Sequence, residues 1–378
     1  MKIVVFGLTI TSAWGNGHAT TYRSLLKALA RRGHQVTFIE KDLAWYSENR
    51  DLPTPSFCTL ALYQDWGVSG EALVRACGDA DAIIVGSYFP DAIQATEALL
   101  SAGLGPLFFY DIDTPVTLAE LRARGRTEYL EGAHIAHFDA YLSFTGGPVL
   151  GELETRFGAR RAIPLYCSVD ADLYQPTPVR GVFRCDLSYL GTYAADRQPK
   201  LMRLLDQAAE LLPESRFLVA GAMYPGETTW APNVARLTHV PPPDHPAFYS
   251  SARFTLNLTR ADMVAAGYSP SVRLFEASAC GTAILSDDWA GLQEFLTPGQ
   301  QVLLPRDEHD VRDILVNMSE EERRRFGRDA RERILESHTS MHRADQFEAI
   351  VSNIRTVEPR IAPQTSSGTD SARASATR

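Results

Sequence analysis

The segment SPSVRLFEASACGTAILSD, Ser269 to Asp287, brings a hydroxyl, a cation and a carboxylate to the start of one short expected helix. Ser271 is placed to N-cap that helix, because its hydroxyl can accept from the free N–H groups of the first turn. Val272, Phe275 and Ala279 recur at helical spacing, Gly281 stands where a left-handed C-cap is expected, and Thr282 to Leu285 reads as a buried strand. Unpaired N–H groups and the helix dipole at such a terminus favour an anion such as phosphate. Arg273 adds a fixed cation, and Glu276 lies one turn deeper, where a carboxylate can accept from ribose hydroxyls. The residues therefore spell a nucleotide site. The alternative they leave open is an ordinary buried αβ unit in which Arg273 and Glu276 pair locally.

Three other polar clusters carry possible chemistry. In GLTITSAWGNGHAT, Gly15, Asn16 and Gly17 permit close backbone approach to a ligand, and His18 enters the helix that follows. The run is not G-x-G-x-x-G, which argues against a nicotinamide site. His18 could act as a base on a hydroxyl, contact a ligand, or only cap the helix and order the loop. In FFYDIDTPV, Asp111 and Asp113 form a D-x-D triplet at a strand end. Such a pair can hold a divalent ion against a diphosphate; Asp113 or Thr114 can equally N-cap the next helix. In YLGTYAADRQPK, Arg197 and Lys200 follow a strand ending at Gly191.

These clusters need a scaffold that gathers strand ends. Lys2 to Gly7, Gln35 to Ile39, Ala82 to Gly86, Leu107 to Tyr110 and Ala140 to Phe144 are continuous apolar runs. Helical patterns separate them, among them the Tyr22, Leu25, Leu26, Leu29 face closed by Gly33 and the stretch Asp91 to Leu100. Apolar strands alternating with helices predict a parallel, doubly wound α/β sheet, with ligands outside the carboxyl ends of its strands. The pattern restarts with strands Leu187 to Gly191, Phe217 to Gly221, Phe254 to Leu258 and Thr282 to Leu285, and a helix from Pro199 to Leu212. The seam is expected inside Pro164 to Pro178. Helices follow from about Asp310 to Arg355, the charged Glu320 to Arg333 stretch being a solvated face. The tail PQTSSGTDSARASATR is small and polar, which predicts disorder.

A chain of 378 residues accommodates two domains of ordinary size. Its formal charge of −9 argues against broad binding to nucleic acid or anionic lipid. Cys58, Cys77, Cys167, Cys185 and Cys280 lack C-x-x-C spacing, which disfavours structural zinc and a disulfide framework. MKIVVFGLTI is too short an apolar run for a signal peptide, and no segment has the length of a membrane span. These features lead to the expectation of a cytoplasmic, reduced protein.

The stretch RLFEASACGTAILSDDWAGLQEFL resembles the donor-site signature of GT-B glycosyltransferases of the family 4 type, and most of all its CgeB-like branch. CSVDADLYQP, Cys167 to Pro176, resembles the segment that follows the interdomain crossing in that superfamily, and GNGHATTYRSLLKALARRGHQVTFIE resembles its first loop, helix and second strand. The matches occur in the family's order and bracket most of the chain. The resemblance implies a GT-B fold: an acceptor-side Rossmann-like domain over 1–168, a nucleotide-sugar-binding Rossmann-like domain over 169–340, and a helix over 341–356 crossing back to the first domain before the 357–378 tail. It implies transfer of a sugar from a nucleoside-diphosphate-sugar to an acceptor, without a metal and with retention of configuration.

The resemblance also assigns residues. Arg197 and Lys200 take the positions that hold the donor diphosphate; Gly17, Ser271 and Arg273 join them, and Glu276 faces the ribose. His18, Asp111 and Asp113 face the sugar or the acceptor, so the D-x-D triplet is not read as a metal site. The family places a second Glu eight positions before Glu276, and this chain has Tyr268 there. Tyr268 thus falls in the donor site without a carboxylate, and Asp262 is the nearby residue that could replace one. Two other readings remain: a GT-B nucleotide-sugar 2-epimerase, and a GT-B protein that binds a nucleotide without turnover. Incubation with donor alone separates the enzymes.

Overall fold

A computed structural model describes residues 1–15 and 17–357. The expected tail beyond 357, and Asn16 of the first loop, lie outside the described residues.

Seven strands build the first sheet: β1 Lys2–Phe6, β2 Gln35–Lys41, β3 Thr59–Tyr63, β4 Ala82–Gly86, β5 Leu107–Asp111, β6 Ala140–Ser143 and β7 Ala162–Pro164. They are parallel, in the order β3-β2-β1-β4-β5-β6-β7, with Val4 level with Thr37 on one side and Ile83 on the other. Five more parallel strands form a second sheet: β8 Cys185–Leu190, β9 Phe217–Ala220, β10 Val234–Leu237, β11 Ala252–Asn257 and β12 Ala283–Ser286, in the order β10-β9-β8-β11-β12. The central strands are buried on both faces, as their unbroken apolar runs require. Helices cover both sheets, so the architecture is two Rossmann-like units, the α/β arrangement expected. The strands that apolar continuity did not mark, β3, β7 and β10, all lie at sheet edges, and their side chains are largely half-exposed.

The expected helix from Pro199 is one run, Gln198 to Leu211, with a π-helical stretch over Met202–Gln207. The C-terminal region divides into Glu308–Asn317, Glu320–Ser337 and Ser340–Val357. The charged middle helix is not solvated all round: Phe326, Gly327, Ala330 and Ile334 are buried. A Cβ at Gly327 would stand 2.1 Å from the Gly281 carbonyl oxygen, so only glycine lets this helix reach the turn before β12.

The chain leaves the first sheet after Pro164 and enters the second at Cys185. Leu165, Cys167, Val169 and Tyr174 of this linker are buried in one apolar cluster that runs from a face of the first sheet to a face of the second. The outer faces of the two sheets carry separate clusters. The linker is tied to the last crossing: the Val169 N–H donates to the His338 carbonyl at 3.2 Å and the Ser340 N–H to the Val169 carbonyl at 2.8 Å. Helix Ser340–Val357 then packs on helix His18–Arg31 of the first unit. Phe347 meets Phe108 at 5.9 Å between ring centroids, and Glu348 accepts from Arg32 Nε at 2.6 Å.

A second junction holds the back of the space between the units. Tyr268, at φ +49°, lies between Gly147 of the first and Gly291 of the second. Its carbonyl accepts the Gly146 N–H at 2.9 Å, and Thr145 Oγ1 donates to Ser269 Oγ at 2.9 Å. Gly147 itself has φ +64°, and a Cβ there would stand 2.3 Å from Tyr268 Cδ2. Gly147→Ala therefore combines backbone strain with overlap and is expected to cost about 1–3 kcal/mol. A chemical-denaturation curve checks this; a stability equal to wild type would mean that the junction rearranges freely.

Candidate active site

The carboxyl ends of both sheets open onto one cleft of about 620 Å³. From the first unit it is lined by the loop after β1, by Tyr88 and by Asp113; from the second, by Gly191 to Ala194, Arg197, the ends of β9 to β11, and the start of helix Val272–Ala279.

The second unit's side is cationic. Arg273 lies over the Tyr189 ring at 5.1 Å from its guanidinium carbon, and Arg197 over the same ring at 5.9 Å. Arg273 is fixed by donation to the Leu190 carbonyl at 2.5 Å and to Asn257 Oδ1 at 3.3 Å; Arg197 donates to the Thr192 carbonyl at 2.5 Å. Neither is within ion-pair distance of a carboxylate among the described residues. Burial, with Arg273 as a like-charged neighbour, lowers the Arg197 pKa from its usual value, so this cation is held at a cost that an anion would relieve. Glycines let the backbone pack closely around this pair. A Cβ at Gly191 would lie 2.9 Å from Arg273 Nη2, and one at Gly221 (φ +152°) would lie 2.0 Å from the Gly191 carbonyl oxygen.

Ser271 occupies the N-cap position with extended backbone, but its hydroxyl makes no capping bond. It donates instead to Asn257 Oδ1 at 2.6 Å, so the first-turn N–H groups have no side-chain cap. One turn deeper, Glu276 is 5% exposed and lines the cleft. Tyr249 donates to its Oε2 at 3.3 Å, and His245 Nδ1 stands 3.8 Å away. Burial raises its pKa to about 7, against the opposing effects of Tyr174, Tyr249 and Arg273. Burial also lowers His245, to about 4, which leaves it neutral beside Tyr174 at 3.2 Å. Tyr174, His245 and Tyr249 escaped the sequence reading because they come from the linker and from helix His245–Ser251, far from Glu276 in the chain.

On the facing side, His18 opens helix His18–Arg31 and caps nothing; Gly17 is the N-cap residue and lines the cleft. His18 Nε2 lies 3.8 Å from Asp113 Oδ2, and its ring meets Tyr88 edge-on at 5.1 Å. Among the described residues, Nδ1 is buried without a hydrogen-bond partner. Asp113 is the N-cap residue of helix Thr114–Arg124, yet its side chain does not cap. Burial raises its pKa, but His18, Arg260 and Tyr88 outweigh that and hold it below the usual carboxylate range. The loop before Gly17 is anchored by Glu40, at the end of β2, which accepts from Thr9 and Thr11 hydroxyls at 2.9 and 2.6 Å and from the Ile10 N–H at 2.7 Å. At its tip Trp14 crosses to the second unit and meets His239 at 4.8 Å.

Several expected site residues stand elsewhere. Asp111 is fully buried behind the cleft, where it accepts from Tyr141 at 2.5 Å and Thr117 at 2.9 Å; the last residue of β5 faces inward and only Asp113, two further on, looks out. Lys200 donates to Asp287 Oδ2 at 2.7 Å and does not line the cleft, because helix Gln198–Leu201 turns it towards the end of β12. Tyr268 belongs to the interdomain junction, not to the cleft lining. Asp262 is exposed on helix Ala261–Ala266 and also lies outside the lining. No group of three or more His, Cys, Asp or Glu side chains able to hold a metal ion occurs among the described residues, and no helix among them is long and apolar enough to cross a membrane.

Glu276 makes the ligand-free protein pH-sensitive. Its folded pKa, about 7, exceeds the unfolded value near 4.5, so its contribution is complete below about 4.5 and disappears as pH rises through about 7. Glu276→Gln should flatten the pH dependence of unfolding free energy in that window, by roughly 3 kcal/mol at most. Denaturant melts of both proteins between these values check it. Identical slopes would show that the carboxyl is not held protonated.

Residues 197–349 match the family described as "Glycosyl transferase-like". No curated protein sequence matches the chain. Among solved structures, it is similar to a sucrose-phosphate synthase from Thermosynechococcus elongatus, with 15% identity and TM-score 0.68, covering 94% of this chain and 100% of that one. HepE from Anabaena, in complex with UDP and glucose, aligns at 13% identity and TM-score 0.67 over 93% and 100% of the two chains. The E. coli protein described as trehalose-6-phosphate, bound with UDP-2-fluoro glucose, aligns at 12% and 0.66 over 93% and 99%. The fold is GT-B, and its second unit carries the glycosyl transferase-like segment.

Proposed function

From a GT-B chain with a glycosyl transferase-like second unit, we infer an enzyme that transfers a sugar from a nucleoside-diphosphate-sugar to an acceptor hydroxyl. The observation that carries this reading is the pair Arg197 and Arg273, held on one tyrosine ring without a carboxylate, beside an uncapped helix start and above the buried Glu276. A diphosphate supplies the charge that the arginines lack, and guanidinium groups suit its oxygens. Ribose hydroxyls supply the donors that Glu276 lacks. During transfer, negative charge grows on the departing diphosphate, and the fixed cations stabilise it there without help from a metal. The solved proteins bound to UDP or a UDP-sugar share this fold, which supports the same donor class here.

The facing side then holds the sugar and the acceptor. His18 presents no ring nitrogen suited to deprotonating an acceptor: Nε2 faces Asp113 and Nδ1 is enclosed. That supports a binding role for His18 and a reaction in which the departing phosphate oxygen takes the acceptor proton, the course associated with retention. Closure of the cleft excludes water and limits hydrolysis of the donor.

Titration calorimetry with UDP and UDP-glucose tests the donor site. Arg273→Met should weaken both by at least tenfold, and Glu276→Gln by roughly 1.5–3 kcal/mol if the ribose bonds are charge-assisted. Because the carboxylate is the accepting form, wild-type affinity for UDP-glucose should rise as pH increases through about 7, and Glu276→Gln should abolish that rise. Affinities unchanged in both variants would defeat the site assignment. Turnover of donor without acceptor would instead favour the epimerase, and full loss of activity on EDTA would overturn metal independence.

His18→Ala should raise the KM for donor or acceptor and leave the shape of the pH–rate curve intact. Loss of the acidic limb, with donor binding unchanged, would instead make His18 the base.

A further inference from the structure

The end of β11 carries two polar side chains that the phosphate and ribose contacts leave unused. Thr259 and Arg260 follow Leu258 along the cleft wall, and all three residues line it. Thr259 is 2% exposed, and its Oγ1 has no hydrogen-bond partner among the described residues. Arg260 Nε is buried and equally unpartnered there. Buried polar atoms in folded proteins are nearly always paired. Two successive residues left open on one cleft wall therefore mark a place where a ligand supplies the partners.

Their position shows which part of a ligand they meet. The Leu258 carbonyl accepts from Arg273 Nη1 at 3.4 Å, so the stretch begins beside a cation of the diphosphate site. Two residues on, Arg260 is the N-cap residue of helix Ala261–Ala266, which packs on helix Thr114–Arg124 of the first unit. Thr259 and Arg260 thus lead from the phosphate side of the cleft towards the wall that carries Asp113. The backbone around them is pinned: the Thr259 N–H donates to Asp287 Oδ1 at 3.1 Å and the Ala261 N–H to Asp196 Oδ2 at 2.8 Å. Neither bond uses the hydroxyl or the guanidinium, so the fold fixes these two groups and leaves them open.

Charge narrows the ligand further. Asp196 Oδ2 stands 3.5 Å from Arg260 Nε, close enough to offset its charge but without hydrogen-bond alignment. On the facing wall, burial raises the Asp113 pKa, and His18 and then Arg260 bring it below the usual range, so an anion stands there too. A guanidinium whose charge is met and whose N–H groups are open suits uncharged oxygens. Arg197 and Arg273 differ, since no carboxylate lies within ion-pair distance of either among the described residues. A sugar carboxylate beside Arg260 would meet Asp113 as a like charge. We propose that Thr259 and Arg260 recognise the transferred sugar through its hydroxyl groups and select a neutral sugar over a carboxylate-bearing one. The proposal rests on the glycosyltransferase reading for the nucleoside diphosphate that brings the sugar to this point.

Calorimetry on the full chain with UDP, UDP-glucose and UDP-glucuronate tests the pair. The quantity read is the ratio of each UDP-sugar Kd to the UDP Kd, which cancels changes at the nucleotide. Thr259→Val keeps the side-chain shape and removes the hydroxyl; Arg260→Lys keeps the charge beside Asp196 and removes the planar fork. Each should raise the UDP-glucose ratio at least fivefold while UDP itself binds within twofold of wild type, which also shows that the variant is folded. Thr259→Ser restores the hydroxyl and should return the ratio to within twofold of wild type. In the wild type, the ratio for UDP-glucuronate should be at least tenfold above that for UDP-glucose. An unchanged UDP-glucose ratio in either variant would overturn the pair as the sugar contact and leave the donor site standing; if both affinities fell together, the pair would belong to the diphosphate. A wild-type preference for UDP-glucuronate would overturn the selection of a neutral sugar. A wild type that binds none of the three would remove the donor reading, and this inference with it.

Discussion

Two guanidinium groups share one phenol ring and no carboxylate neutralises them. In the half-buried cleft, Arg197 and Arg273 repel each other, and carbonyl oxygens hold them in place without cancelling charge. Two acidic residues at the same edge are committed elsewhere: Asp196 to Arg260 at 3.5 Å, Asp287 to Lys200 and the Thr259 N–H. The ligand-free protein thus keeps a positive field that only an anion from outside can complete. Much of the second unit serves that condition. Parallel strands bring Gly191, Gly221 and Asn257 to one edge, where the glycines let the backbone after β8 pack against Arg273 and against the end of β9.

A field of this kind is useful only if the opposite wall stands at a fixed distance. Two kinds of connection set it. At the back, the Tyr268 junction and the buried linker join the units through close backbone contact, which resists deformation. Arg343, 7% exposed, reinforces it by donating to the Tyr166 carbonyl at 3.1 Å and to His338 Nδ1 at 2.7 Å. Burial, with Arg343 as the next cause, drives His338 down to about 3, so the nitrogen stays free to accept. At the mouth Trp14 meets His239 of the second unit at 4.8 Å.

Periodicity and apolar runs made the central strands and the two-unit architecture legible, because a strand buried on both faces cannot hide its composition. Edge strands such as Val234–Leu237 are covered on fewer sides, so their sequences lose the signal. Local spacing found Arg273 and Glu276, which one helix carries a turn apart. It could not find Tyr249 or His245, whose relation to Glu276 exists only after packing. It also could not tell which aspartate of the D-x-D triplet faces outward, since that depends on where β5 stops: Asp111 is still in the strand and points into the core. Lys200 was misplaced for a related reason. Both it and Arg197 follow Gly191, but Asp287, distant in sequence, captures the lysine.

The buried carboxylates show how satisfaction sorts their roles. Glu40, at the end of β2, accepts from two hydroxyls and two backbone N–H groups at 2.6–3.2 Å, which saturates it. In dinucleotide-binding folds an acidic residue near this place receives the ribose; here its capacity goes to holding the loop before Gly17, so the first unit offers no ribose acceptor there. Asp111 accepts from two hydroxyls and one N–H, leaving a margin for a proton but no opening for a ligand. Glu276 has the long Tyr249 bond and the Tyr174 hydroxyl beside it, and it alone of the three lines the cleft. A buried carboxylate short of donors is costly in the empty protein and most improved by a ligand that brings them. That difference moves ribose recognition to the second sheet, beside the arginines, so that one nucleotide completes both the charge and the hydrogen bonding that the chain leaves unfinished.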